Sequence, residues 1–336
     1  MSKWIDDWRP NDPEFWQATG RKVARRNLGF SIFAEFLGFS IWQIWAVVAA
    51  RLPDAGFDLS TSQLFWLVAI PGLVGATARF GYTFAPARFG GRNWTVVSAI
   101  LLLIPTTLLA VLVSDPTTPY WMLLGAAATA GFGGGNFASS MANISYFFPE
   151  RRKGAALGMN AAGGNIGVAA VLGLVPLVIG FGGGLHLERA ALVWMPLILL
   201  AAICAFFFMD NLRAARSTFN DQRQILNDRD TWVMSILYIA TFGSFIGYSA
   251  GLPLLIKTQF PEQAVQIAFL GPLVGSLARP FGGMLADRIG GARMIMLAFP
   301  LMSIATVGLV GCLAHRHESW AFGAFLATFI DRKSVV

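Results

Sequence analysis

Two arginines lie in the middle of apolar segments, at equivalent places in two related stretches 200 residues apart. The first stretch reads GATARFGYTFAPARFGGR, and the second reads GSLARPFGGMLADRIGGAR. The gapless alignment pairs Gly75 with Gly275, Ala78 with Ala278, Arg79 with Arg279, Arg88 with Arg288, and Gly90 and Gly91 with Gly290 and Gly291. An arginine at bilayer depth costs about 2.5 to 3.5 kcal/mol even on mild insertion scales, so a chain that carries one in each repeat is predicted to use both. Two facing guanidinium groups, planar and rich in donors, would bind a small trigonal oxyanion.

A purely structural role for these two arginines is the alternative, in which they extend to the lipid headgroups or pair with a carboxylate. Arg79 precedes Pro86, near the end of its apolar segment, by seven residues. That separation is about 10 Å of helix, a long reach for a side chain. The predicted spans of the second half contain no carboxylate, and those of the first half contain one, Glu35. The sequence therefore favours the anion site.

The composition indicates a membrane protein, because 55% of the residues are hydrophobic and only 13% are charged, against about 25% charged in soluble domains. The net charge of +7 could suggest a nucleic-acid partner. However, Lys and Arg concentrate in the N-terminal tail and in alternate loops, while the opposite loops carry only Arg51, Arg189, Lys257 and Arg316. This asymmetry follows the positive-inside rule, so we expect no nucleic acid as partner and an N-terminus in the cytoplasm.

Apolar runs predict membrane-spanning helices, each of which needs about 20 residues. The predicted spans are 28–50, 62–85, 94–113, 120–147, 155–180, 190–209, 231–256, 263–285 and 293–313, and a tenth begins near 319. Because the repeated stretches are offset by six helices, we expect parallel repeats that form two six-helix halves, the second incomplete. The predicted division is a cytoplasmic tail 1–27, a six-helix bundle 28–209, a cytoplasmic linker 210–230, a partial bundle 231–330 with helices 7–9 and the start of the tenth, and a non-native tail 331–336 in a truncated chain.

The two glycine-rich loops after the arginines are short connections between helices, in which glycines permit tight turns and charges interact with neighbouring helix ends. We interpret them as a conformational latch and not as ligand sites. The predicted gating residues are Arg88, Gly90, Gly91, Asp287, Arg288, Gly290 and Gly291.

Two further stretches, GFGGGNFASSMANIS from Gly131 and GMNAAGGNIGVAA from Gly158, are crowded with small residues. Their GxxxG spacings predict close helix packing. Both stretches also carry asparagines, whose amides are costly in a membrane unless they find a partner. An amide together with exposed glycine backbone can bind an oxyanion without adding charge, so Asn165 is a candidate ligand, with helix packing alone as the alternative.

The stretch GMNAAGGNIGVAA resembles the nitrate signature of the nitrate/nitrite porter family, within the major facilitator superfamily. The stretches ANFASSMANISYFFP, YIATFGSFIGYSAG and LARPFGGMLADRIGG resemble the fourth, seventh and eighth helices of that family, and the similarity runs from about Asp7 to Ile330. It implies an all-α membrane protein with the major facilitator fold. It also implies that Arg79 and Arg279 clamp the anion, that Phe137 and Phe242 sandwich it, and that Tyr238 and Asn165 complete its polar shell. Gly163 and Gly164, which lie in the signature itself, are by the same resemblance expected to contribute to substrate binding.

Glu35 is the one acidic residue well inside a predicted span. A desolvated carboxyl can carry a proton, so Glu35 makes proton symport plausible; without it, nitrate/nitrite antiport is favoured. The alternative is that Glu35 reaches water or the basic residues Arg25 and Arg26.

These observations predict a secondary transporter of the bacterial inner membrane that moves nitrate or nitrite by alternating access as a monomer. A carrier of another small oxyanion and an anion channel remain alternatives. The sequence shows no catalytic triad, nucleotide-binding loop or metal-ligand spacing around Cys204 and Cys312, so we expect neither an enzyme nor a cofactor or metal.

Overall fold

Nine helices make up most of the part of the chain that the computed structural model describes, residues 4–217, 224–259 and 268–314. They are α1 Pro13–Arg51, α2 Thr61–Phe89, α3 Gly91–Leu112, α4 Tyr120–Phe147, α5 Glu150–Gly180, α6 Arg189–Phe208, α7 Arg229–Thr258, α8 Leu270–Ile289 and α9 Gly291–Ala314. Two short strands, β1 Trp4–Ile5 and β2 Asn211–Leu212, pair in parallel. Each of the nine predicted spans overlaps one helix. The start of the predicted tenth span and the predicted tail 331–336 lie outside the described residues.

The helix starts follow from local capping chemistry. Ser60 and Gln63 form a reciprocal capping box at the start of α2, with the Gln63 amide donating to Ser60 Oγ at 3.3 Å and the Ser60 amide donating to Gln63 Oε1 at 2.8 Å. Asp12 accepts from the amides of Glu14 and Phe15 and precedes Pro13 at the first helical position. Helix α1 therefore begins at Pro13, well before the predicted span start at residue 28.

The repeat found in the sequence is also a repeat of backbone geometry. Gly90 ends α2 with a φ of +91°, and Gly290 ends α8 with a φ of +92°. This region of φ is open to glycine and strained for other residues. The carbonyls of both glycines then accept hydrogen bonds from the next helix, from the Trp94 amide at 3.0 Å and from the Met294 amide at 3.2 Å.

Six of the described helices, α1, α2, α3, α5, α6 and α7, are long and apolar enough to cross a membrane. Helix α4 is rich in glycine, alanine, serine and asparagine, which lower its hydropathy. Such residues suit a position inside a helix bundle. Large apolar side chains point outwards from α2, α6 and α9, among them Phe80, Phe207 and Val307. An exterior of this kind fits lipid as its solvent.

Helix α1 is the centre of the packing, because it contacts α4, α5 and α7. Glycines allow these contacts to bring backbones together. A Cβ added to Gly38 would lie 3.0 Å from the Gly133 carbonyl oxygen, and one added to Gly131 would lie 2.7 Å from the Gly75 nitrogen. A Cβ at Gly167 would collide with the Phe36 carbonyl. The predicted packing role of the GxxxG glycines is confirmed at Gly131 and Gly167, whereas a Cβ added to Gly158 would meet nothing within 4 Å.

The start of the predicted linker is docked against the N-terminal residues. The Asp210 carboxylate accepts from Arg26 at 2.6 Å and from Asn27 Nδ2 at 2.8 Å, and the Asp210 amide donates to Asn27 Oδ1 at 2.8 Å. The β1–β2 pair lies beside this junction. Trp8 donates from its indole nitrogen to the Tyr146 carbonyl at 3.0 Å, which fixes the tail to the end of α4.

We expect the substitution Asp210→Ala to lower stability, because it removes the carboxylate that accepts side-chain hydrogen bonds from Arg26 and from the buried Asn27, which keeps only its bond to the Val23 carbonyl as donor. Hydrogen bonds to charged groups are worth about 1.5 to 3 kcal/mol. The thermal midpoint of the purified protein in detergent measures this loss. Asp7→Ala is the matched control, since Asp7 pairs with Arg9 while both side chains are more than half exposed. Equal midpoints for the two variants would contradict the docking role of Asp210.

Candidate anion-binding site

The Arg79 side chain points from α2 into the helix bundle. Its Nε donates to the Gly134 carbonyl at 3.2 Å. Its guanidinium carbon lies 5.4 Å from the ring centroid of Trp42, 5.2 Å from that of Phe137 and 4.7 Å from that of Phe242. Its Nη2 is buried and has no hydrogen-bond partner among the described residues. The guanidinium is thus held by a carbonyl and aromatic faces, with donor capacity left over.

Three stacked aromatic rings form one wall of the site. The ring centroids of Tyr238 and Phe242 are 5.1 Å apart at an interplanar angle of 10°, and those of Phe137 and Phe242 are 5.4 Å apart at 21°. The π-helical turn Ile239–Gly243 in α7 contains Phe242 and follows Tyr238 directly. Such turns often occur at functional sites because they redirect side chains.

Arg279 reaches the same region from α8, and its side chain is buried. Both arginines interact electrostatically with the Glu35 carboxyl and with the Tyr238 hydroxyl. The arginines of the two repeats therefore lie within electrostatic range of the same two residues, Glu35 on α1 and Tyr238 on α7. The Tyr238 hydroxyl and Arg79 Nη2 are both buried, and the two side chains lie close enough to attract one another, but neither atom makes a hydrogen bond of normal geometry in the described part of the chain.

The asparagines of the small-residue stretches separate into two kinds. Asn136 donates to the Ala34 carbonyl at 3.4 Å and accepts from Ser98 at 3.0 Å, so it joins three helices. Asn160 donates to Ser140 Oγ at 2.9 Å. Asn165 is fully buried on α5, yet neither its Nδ2 nor its Oδ1 has a partner among the described residues. A buried amide of this kind is costly unless a ligand or water satisfies it.

Glu35 is completely buried, and its Oε2 accepts a hydrogen bond from Ser140 Oγ at 2.5 Å. Its Oε1 has no hydrogen-bond partner among the described residues. Of the two basic residues that offered an alternative, Arg26 binds Asp210 instead and Arg25 is exposed. The structure thus places Glu35 inside the bundle, within electrostatic range of Arg79 and Arg279, and away from the basic tail.

Gly163 and Gly164 lie at the interface of α5 with α1. A Cβ on Gly164 would lie 2.6 Å from Glu35 Cγ, and a Cβ on Gly163 would collide with Ile32. Their observed contacts are therefore those of helix packing, and the packing of Gly164 bears directly on the Glu35 side chain.

Of the predicted gating residues, the three in the first loop lie in the described structure with their side chains. Gly90 packs against Asn211 and Gly91 against Asn143, while Arg88 is exposed and stacks on Phe89 at 5.9 Å. In the second loop Gly290 repeats the geometry of Gly90, and the side chains of Asp287 and Arg288, like the surroundings of Gly291, lie outside the described residues.

Three residues of this region were not singled out from the sequence. Arg92 donates from Nε to the Phe206 carbonyl at 2.8 Å and so caps the last turn of α6. Ser140 and Trp42 contact Glu35 and Arg79 respectively. For Trp42 a signal exists in the sequence, because it follows Glu35 by seven residues on one helix and so lies on the same face.

No group of three or more potential metal ligands occurs in the described residues, and His186 there pairs with Glu188 at 3.2 Å.

Comparison with known proteins assigns the class. Residues 28–330 match the family model of the Major Facilitator Superfamily. The partially occluded inward-open structure of the xylose transporter XylE from E. coli superposes with a TM-score of 0.69 at 14% identity, covering 93% of this chain and 85% of that one. The fold is therefore that of the superfamily, as expected, and the protein is a multi-pass membrane transporter, not an enzyme.

Curated relatives narrow the class further. The nitrate/nitrite transporter NarU of Salmonella typhimurium is 41% identical over 97% of this chain and 74% of its own length. The probable nitrate/nitrite antiporter NarK2 of Thermus thermophilus is 42% identical over 86% of this chain and 70% of its own. The chain belongs to the nitrate/nitrite porter family of the Major Facilitator Superfamily.

We expect Gly164→Ala to destabilise the protein, because the new Cβ would press on the buried side chain of Glu35. Overpacking of this kind costs about 1 to 3 kcal/mol. Gly158→Ala is the matched control on the same helix, since a Cβ there meets nothing within 4 Å and alanine favours a helix by about 0.5 to 1 kcal/mol. Thermal midpoints in detergent should fall for the first variant and hold or rise for the second. The reverse order would refute the packing role.

Proposed function

We propose that this protein is a secondary active transporter that moves nitrate, nitrite or both across the bacterial cytoplasmic membrane by alternating access. The names of its relatives support the substrate class. The observation that carries the proposal is that the two repeats place an arginine at equivalent positions inside the bundle, Arg79 with a buried Nη2 that has no partner in the described structure and Arg279 with a buried side chain. An anion bound by both arginines would contact both halves and join them, as alternating access requires.

The unsatisfied polar groups support a ligand of this chemistry. Arg79 Nη2, the Tyr238 hydroxyl and the Asn165 amide are buried donors without partners in the described structure. A trigonal oxyanion offers acceptors in one plane, and the guanidinium matches that geometry. Phe137 and Phe242 would flank its faces. Their rings now stack directly at 5.4 Å, a normal spacing for an aromatic pair, so binding between them requires the rings to separate.

Contacts between the helices of the two repeats fit the proposed transport cycle. On one side, Lys257 of α7 donates to both Asp54 oxygens at 2.8 Å and to the Ala50 carbonyl at 2.7 Å, next to the end of α1. Opposite lie the glycine loops, whose positive φ values permit sharp connections. We assign Arg88, Gly90, Gly91, Asp287, Arg288, Gly290 and Gly291 to gating there, and place the N-terminus in the cytoplasm in a monomer.

Two modes of coupling fit the site, proton symport through Glu35 and nitrate/nitrite antiport. Burial beside the two arginines favours a role for Glu35 in charge compensation.

An anion channel is the competing class, and a single site closed by paired arginines suits a carrier better than a continuous wet pore. Reversal potentials and coupled exchange in proteoliposomes distinguish the two, and competition by other small oxyanions tests the substrate class.

We expect Arg79→Lys or Arg279→Lys to abolish nearly all nitrate binding while the protein still inserts and folds. Lysine keeps the charge but loses the planar two-donor contact. Nitrate titrations of purified full-length protein measure the effect, and Arg151→Lys, at an exposed position, is the control. Wild-type affinity in both site variants would remove the arginine clamp from the mechanism.

Asn165→Ala should weaken nitrate affinity by about 1 to 3 kcal/mol, because a buried hydrogen bond to a charged ligand is lost. Its thermal midpoint should change little, since the amide has no partner to lose in the described structure. Asn136→Ala is the contrasting variant, expected to lower the midpoint because it breaks bonds to Ala34 and Ser98. If Asn165→Ala binds normally and is only less stable, Asn165 is a packing residue.

Glu35→Gln should uncouple uptake from an imposed pH gradient, because it fixes a neutral group where a carboxyl could exchange a proton. Exchange of nitrate for nitrite should survive, since neither arginine changes. Both activities are measured with full-length protein in proteoliposomes. Uptake by the variant that still follows the pH gradient as in wild type would exclude Glu35 as the proton carrier.

A further inference from the structure

The Trp42 indole occupies a buried space between α1, α2 and α4. Its side chain is almost fully buried, and its Nε1 donates to the Pro71 carbonyl of α2 at 2.7 Å. Its ring stacks near Phe242 of α7, with centroids 6.4 Å apart at an interplanar angle of 21°. One side chain of α1 is therefore fixed between both repeats of the protein.

Glycines on the neighbouring helices make room for the ring. A Cβ on Gly75 would lie 2.7 Å from Trp42 Nε1, and a Cβ on Gly134 would lie 2.8 Å from Trp42 Cζ2. Both distances are too short for carbon atoms of a folded protein. Gly75 precedes Arg79 by one helical turn, and Gly134 provides the carbonyl that accepts from Arg79 Nε at 3.2 Å. The residues that admit the indole also position the guanidinium.

The hydrogen bond from Arg79 Nε to the Gly134 carbonyl leaves the end of the guanidinium group free to rotate. The Trp42 indole restricts that rotation. The guanidinium carbon lies 5.4 Å from the Trp42 ring and 4.7 Å from that of Phe242, distances at which the aromatic faces attract a cation. The Arg79 Nε is bound to a carbonyl, and the aromatic rings limit rotation of the guanidinium plane. The unpartnered Nη2 is therefore held in one orientation. Holding a long side chain in its binding conformation lowers the entropy lost on binding.

We propose that Trp42 is a positioning residue of the anion site, which orients the Arg79 guanidinium before the anion arrives. This inference rests on the proposed function, because it assumes that Arg79 binds the transported anion. It adds a requirement that the arginines alone do not impose, namely that affinity depends on an aromatic face at position 42.

The test compares Trp42→Leu with Trp42→Phe in the full-length protein, with nitrate as the probe. Trp42→Leu removes the aromatic face and should weaken nitrate binding about thirtyfold, the size of a desolvated cation–π contact. Trp42→Phe keeps a face and should recover most of that affinity. In uptake assays the KM should rise for the leucine variant while the maximal rate is largely kept, which a merely structural defect would not produce.

Trp45→Leu is the matched control, because Trp45 is equally buried one turn further along α1 and is not among the rings that face Arg79. It should lower the thermal midpoint and leave nitrate affinity unchanged. Wild-type affinity in Trp42→Leu, or equal losses in both leucine variants, would overturn the inference. If Arg79→Lys binds normally, the arginine clamp and the role of Trp42 both fail; if only Trp42→Leu binds normally, the clamp stands and Trp42 is structural.

Discussion

Two guanidinium groups that reach into an apolar bundle, one from each repeat, are the constraint on which the rest of this structure depends. Neither charge has bulk water around it, and like charges repel more strongly where the dielectric is low. Three kinds of group stabilise these positive charges: the Gly134 carbonyl, the three aromatic faces around Arg79, and one buried carboxyl, Glu35. This stabilisation is incomplete, because Arg79 Nη2 has no hydrogen-bond partner among the described residues. If the proposed anion binds there, it would satisfy this donor and offset the positive charge.

The close packing of α1 against its neighbours follows from the same constraint. For the Gly134 carbonyl to reach Arg79, and for Trp42 to fit beside it, α2 and α4 must accept an indole where any larger residue would collide. In a bilayer, helices gain little from hydrophobic burial against each other and associate by close packing and polar contacts. Glycine therefore serves stability and function at the same positions, as it does at Gly164, which packs on Glu35.

Much of this arrangement could be predicted from the sequence, because the same local pattern occurs in both repeats and equivalent residues are expected to have equivalent positions. The alignment of Arg79 with Arg279 predicted that both would point into the bundle, and in the structure Arg279 is buried and Arg79 Nη2 is buried; that both serve one site stays a prediction. Gly90 and Gly290 have nearly the same φ. The early start of α1, the docking of Asp210 on Asn27 and the place of Trp42 were not predicted. Each depends on which distant residue becomes a neighbour, and apolar periodicity does not encode that.

The charges around the site also bear on the coupling modes. With Glu35 ionised, it and the two arginines sum to one positive charge, which one nitrate would neutralise. With Glu35 protonated, the same groups carry two positive charges, and an empty carrier would have to reorient around two buried, uncompensated charges at high cost. An exchanger avoids that cost by returning with another anion. A symporter must return empty, and a carboxylate beside the arginines, held by Ser140, would partly compensate them on that step. The position of Glu35 therefore bears on the empty carrier's return as much as on the proton it would bring in.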